Sequence, residues 1–104
     1  MPKDKAQSLV TSYLARLKEQ DIPVTEAYLF GSQIRGDARK DSDIDVAIVS
    51  PWFDPDDDAK RVKLWLCRRP HEFDIEPHGF TPEDFANEAD PMVCEIKKTG
   101  ERVA

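Results

Sequence analysis

Asp43 and Asp45 stand two residues apart at the mouth of an apolar run, Val46 to Val49. Side chains alternate faces along a strand, so both carboxylates share one side while Ile44 turns toward a core. Two anions held this close repel, and they persist where solvent or a cation offsets the repulsion. Mg²⁺ suits that role: it takes hard oxygen ligands and is held by one or two carboxylates together with substrate phosphates. Upstream, Gly31 lets backbone come close to a ligand, and Ser32 can donate its hydroxyl to a phosphate oxygen. A helical turn beginning there would aim free N–H groups at the same anion. Arg35 can steady a phosphate, and Ser42 can hydrogen-bond the loop or cap the strand. Each feature alone has a plainer reading. Asp-x-Asp serves as a polar strand edge, Gly-Ser as a turn, and a lone arginine as a solvated cation.

Positioning these groups requires strands on both sides of the loop. An amphipathic helix is expected over residues 4 to 20, with Ala6, Leu9, Val10, Tyr13, Leu14 and Leu17 on one face. Asp21 to Pro23 ends it, because proline cannot continue the hydrogen-bond ladder. Thr25 to Phe30 reads as the first strand and Asp43 to Val49 as the second, paired antiparallel, with a short helical turn at 33 to 36 stopped by Gly36. A helix over 57 to 67 follows, with Asp56, Asp57 and Asp58 at its positive end and Ala59, Val62, Trp65 and Leu66 expected inward. Glu72 to Glu76 reads as a short third strand. Thr81-Pro82-Glu83-Asp84 opens a helix, with Thr as N-cap and Pro at the first position, and another helix follows Pro91 and ends near Gly100. The expected fold class is α/β (α+β): a small mixed β-sheet with helices packed mainly on one face.

Composition narrows the function. A chain of 104 residues is expected to form one domain, residues 1–104, and 39% hydrophobic residues are enough for a folded core. Fifteen basic against 21 acidic side chains leave −6 at neutral pH, so direct nucleic-acid binding driven by phosphate contacts is not expected. No apolar run approaches the ~20 residues of a membrane span, and no leader pattern follows Met1, which points to a cytoplasmic protein. Cys67 and Cys94 are far apart without a ligand motif and read as reduced, half-buried thiols. His71 and His78 flank the third strand; either could sit near the site, though a surface or packing role is the plainer reading. Trp52, Phe53, Phe80 and Phe85 read as core or as an apolar face for a partner.

The combined pattern Gly31-Ser32-x-x-Arg35-Gly36-x5-Ser42-Asp43-Ile44-Asp45 resembles the nucleotidyltransferases of the DNA polymerase β superfamily. The nearest likeness is to the minimal (MNT) group, and it extends over about residues 5 to 100. The resemblance implies a third carboxylate on a later strand in an apolar-Asp-apolar setting. Phe73-Asp74-Ile75 fits, so Asp74 is assigned, with Glu76 on the same face as the alternative. It implies two Mg²⁺ ions held by Asp43, Asp45 and Asp74, and a nucleotide positioned by Gly31, Ser32, Arg35 and Ser42. It further implies transfer of a nucleotidyl group, AMP from ATP, to a hydroxyl of a partner protein. Members of the group are commonly antitoxins paired with a HEPN-domain toxin. Two alternatives stand beside this: an antitoxin that acts by binding alone, and a transferase acting on a small-molecule hydroxyl. A polymerase role is not expected, since template and primer need further domains. An open sheet edge could pair with a second copy to give a homo-oligomer.

Overall fold

A computed structural model of the chain describes residues 3–30, 44–54, 56 and 58–104. Helix α1, Lys3–Glu19, comes first. Its inward stripe of Ala6, Val10, Tyr13, Leu14 and Leu17 is buried, as the helical spacing predicts. The helix closes where Asp21 takes a left-handed φ of 61°, a conformation that short polar side chains tolerate. The Ile22 amide then donates back to the Leu17 carbonyl at 3.0 Å. Strands β1 (Glu26–Phe30) and β2 (Ile44–Val49) pair antiparallel, with Phe30 opposite Asp45. Helix α2 (Ala59–Leu66) leads to a 3-10 turn at Pro70–Glu72 and to strand β3 (Ile75–Phe80), which runs parallel to β2. Helices α3 (Pro82–Ala86) and α4 (Pro91–Thr99) follow, and a two-residue strand β4, Glu101–Arg102, returns to pair with β1. The sheet order is β3-β2-β1-β4 among the described residues.

The mixed α/β class is the one expected. The larger apolar layer lies on one face, where Ala27, Leu29, Ile44, Val46, Ile48 and Ile75 meet α1, Phe53 and Leu64. A second, smaller layer covers part of the other face, where Phe30, Ala47, Val49 and Phe80 meet Phe85 of α3 and Val93 and Ile96 of α4. Burying each large aliphatic side chain contributes about 1.5–3 kcal/mol, so the alternation of β2 feeds both layers at once. Thr81 caps α3 as its sequence predicts: the hydroxyl accepts from the Asp84 amide at 3.0 Å, and the Asp84 carboxylate accepts from the Thr81 amide.

Three expectations need correction. The third strand is not Glu72 to Glu76 but Ile75–Phe80, and it passes through Pro77 and Gly79. Those residues look like strand breakers, yet β3 is an edge strand, where a missing amide hydrogen on the outer side breaks no ladder. Gly79 is needed there, because a Cβ would come within 2.6 Å of the Phe53 ring. The inward face of α2 is also different. Leu64 is fully buried, while Ala59, Val62, Trp65 and Leu66 are exposed. Leu64 is fixed by α1, whose Tyr13 hydroxyl donates to the Leu64 carbonyl at 2.6 Å. Arg61 turns onto the sheet, donating to the Gly79 carbonyl at 2.9 Å and pairing with Asp84 at 3.2 Å. The third correction is β4, which is too short to carry a sequence pattern of its own.

Candidate active site

The approach to the site begins with a buried ion pair. Glu72, at the end of the 3-10 turn, has no exposed surface. Arg16 of α1 grips it with two nitrogens: Nη1 bonds Oε1, and Nη2 bonds Oε2 at 2.8 Å. The Arg69 amide donates to the same carboxylate at 2.8 Å. Burial alone would raise the Glu72 pKa. The Arg16 hydrogen bonds, the Arg69 amide and the adjacent positive charge outweigh it and hold the carboxyl below its ordinary range. This clamp fixes where the chain enters β3. Two residues later the Asp74 carbonyl accepts from the Ile44 amide at 2.6 Å, and the parallel ladder starts.

The ladder register then decides which side chains meet. Asp45 lies directly beside Glu76, and Ala47 beside His78. Glu76 and His78 are two apart on one strand, so they project to the same face as Asp45. The Asp45 Oδ1 and His78 Nε2 are 3.2 Å apart. One ligand atom from each of Asp45, Glu76 and His78 lies within 4.8 Å of the other two. Phe30, opposite Asp45 on the other side, places its ring 5.4 Å from the imidazole. The Asp45 and His78 side chains are about a quarter exposed, so the group is open to solvent but not surrounded by it. Two carboxylates and one imidazole in reach of each other form a donor set that a divalent cation fits.

The sequence-derived candidates divide in three. Asp45 is in the group. Asp74 is exposed in the turn before β3, one alternation ahead of Glu76, and is not part of the group among the described residues. Gly31, Ser32, Arg35, Ser42 and Asp43 lie outside the described residues, as does the helical turn expected at 33 to 36. His78 is the residue that the sequence reading weighed near the site but gave no role. Its signal was Glu76-x-His78, which is visible as a pair only once β3 is known to continue through Pro77. His71, by contrast, is exposed, 3.9 Å from the Glu72 carboxylate.

Two other expectations have definite outcomes. Cys67 and Cys94 are both free and half-buried. Phe53, Phe80 and Phe85 are core, and Trp52 is half-buried against the larger layer. No helix among the described residues is long and apolar enough to cross a membrane.

Comparison with known families agrees with the geometry. No curated protein matches the chain at a significant level. Residues 10–98 match the family model described as the nucleotidyltransferase domain. That span runs from the middle of α1 through α4 and includes Asp45, Glu76 and His78. By its match over most of its length, and with acidic groups gathered at the end of its two parallel strands, the chain belongs to the nucleotidyltransferase domain family, which transfers nucleotidyl groups from nucleoside triphosphates.

Proposed function

We propose that the chain forms a single catalytic domain that transfers AMP from ATP to a hydroxyl of a partner protein, as the antitoxin of a HEPN/MNT pair. The observation that carries the catalytic part is the Asp45–Glu76–His78 group, placed by register rather than by loop geometry. In this reading Asp45 and Asp43 are two of the acidic ligands. The third is Asp74 or Glu76, and the register beside Asp45 favours Glu76. Mg²⁺ held by these residues would neutralise triphosphate charge and ease deprotonation of the acceptor hydroxyl. The chain's own part is positioning. Asp45 and Glu76 stand on adjacent hydrogen-bonded strands, so their separation is set by the sheet and needs no ordering when substrate arrives. Gly31, Ser32, Arg35 and Ser42 would hold the nucleotide's phosphates.

A protein acceptor is supported by the outer face of α2. Val62 and Leu66 are more than half exposed, Trp65 is 36% exposed, and Phe73 nearby is 58% exposed. Apolar groups gathered in this way on a chain of −6 charge suit contact with another protein. The resemblance to the minimal group supports a HEPN-domain toxin as that protein. The same patch favours the second reading, neutralisation by binding alone.

The test is incubation with α-labelled ATP, Mg²⁺ and the purified HEPN partner. Label should pass to the partner, and Asp45→Asn and Glu76→Gln should abolish transfer. No label transfer, or equal transfer by Asp45→Asn, overturns the catalytic reading. Survival of toxin-expressing cells with Asp45→Asn in place of the native chain would then establish binding alone.

A further inference from the structure

We infer that His78 is a metal ligand and that it makes the site prefer Mn²⁺ over Mg²⁺. The inference rests on the metal centre of the proposed function and deepens it. Carboxylates alone would suit Mg²⁺. An imidazole in the set changes the preference, because Mg²⁺ takes oxygen donors and gives up water reluctantly, whereas first-row transition ions accept nitrogen.

Three observations place His78 in this role. Its Nε2, not its Nδ1, faces the Asp45 carboxylate at 3.2 Å. Neighbouring donors about 2.1 Å from an octahedral ion are roughly 3.0 Å apart, so these two atoms already stand close to the spacing of adjacent ligands. Glu76 completes the set from the same strand, two residues before His78. Finally, the imidazole is held: Phe30 packs against it at 5.4 Å on the β1 side, and the strand backbone fixes its base beside Ala47. A surface histidine would be free to turn away. This one is oriented toward the carboxylate before any ion arrives, which lowers the ordering cost of ligation.

Without an ion, the His78–Asp45 contact acts as a hydrogen bond that orients the Asp45 carboxylate. With one, both atoms bind the same cation. Groups that orient a metal ligand, or ligate weakly beside it, typically change affinity by about 10–100-fold. The part of that effect due to nitrogen ligation should appear for Mn²⁺ and be small for Mg²⁺.

The experiment uses the full chain stripped with chelator and titrated with MnCl₂, with free Mn²⁺ followed by its electron paramagnetic resonance signal. Mg²⁺ affinity is then measured by competition. No nucleotide or acceptor is needed. The native chain should bind Mn²⁺ at least about tenfold more tightly than Mg²⁺, and echo modulation should report a directly bound ¹⁴N. His78→Ala should weaken Mn²⁺ about tenfold or more and Mg²⁺ less than about threefold. His78→Gln, which keeps a hydrogen-bonding side chain against Asp45 and fills the same space, should also lose the ¹⁴N signature and the preference. Circular dichroism of each variant checks that the fold is kept. Unchanged Mn²⁺ affinity in both His78 variants, or equal loss for the two ions, overturns the inference while leaving the metal centre standing. If Asp45→Asn also binds Mn²⁺ like the native chain, the metal centre itself fails, and the catalytic reading with it.

Discussion

Two carboxylates at opposite ends of one short stretch meet opposite fates. Glu72 is wholly buried, and its oxygens accept from Arg16 and the Arg69 amide. Glu76, four residues on, stands half-exposed beside another carboxylate and an imidazole. The first is a closed arrangement in which charge is matched and hydrogen bonds are satisfied. The second is partly exposed, with Asp45 in contact with His78. The clamp's role is to hold the fold, and the proposed role of the other group is to bind. Breaking each in turn should therefore give different symptoms.

The largest expected effect is on the clamp. Arg16→Ala leaves a buried carboxylate without its partner and should destabilise the fold by about 3–5 kcal/mol in urea unfolding. A loss below about 1 kcal/mol would mean the pair holds nothing in place. Asp45→Asn should do the reverse. Nucleotidyl transfer should fall about 10³-fold, roughly 4 kcal/mol of transition-state stabilisation, while the unfolding midpoint changes little, since the partly exposed Asp45 side chain is not part of the core. A clear drop in the midpoint would erase the distinction between the two regions.

An intermediate effect is expected where β3 leaves the site. Gly79→Ala places a methyl against the Phe53 ring and should cost about 1–3 kcal/mol, read as a shift in thermal midpoint. The smallest effect is the acid dependence of the clamp. Glu72 has a folded pKa below its unfolded value, so its contribution is fully present above the unfolded value and is lost as pH falls through the folded one. Stability of the native chain should thus decline as pH falls below about 4.5, and Glu72→Gln should show a shallower decline over the same range. Parallel declines would place the acid sensitivity elsewhere.

Much of this was legible in the sequence. The 3.6-residue stripe of α1, the antiparallel pair around the loop and the Thr81 cap all follow from local periodicity, whereas the meeting of Asp45 and Glu76 depends on the register between β2 and β3. What was not legible depends on contacts between distant residues. Glu72 looks like an ordinary surface acid until α1, 56 residues earlier, brings Arg16 to it. His78 looks like a flanking residue until Pro77 proves compatible with an edge strand. The outward face of α2 misleads because Val62, Trp65 and Leu66 form the more apolar stripe, yet Arg61 and Leu64 are the residues held by Gly79 and Tyr13.

The outer side of β3 has a further consequence. Arg68 donates to the carbonyls of Phe73 and Ile75 at 2.8 and 3.0 Å, Arg61 caps that of Gly79, and Pro77 between them has no hydrogen to give. A foreign strand laid along that side would find two of its acceptors already engaged and one donor absent, so β3 is a poorer template for edge-to-edge pairing than an ordinary edge strand. The strand that carries Glu76 and His78 therefore borders solvent with its outer edge partly blunted.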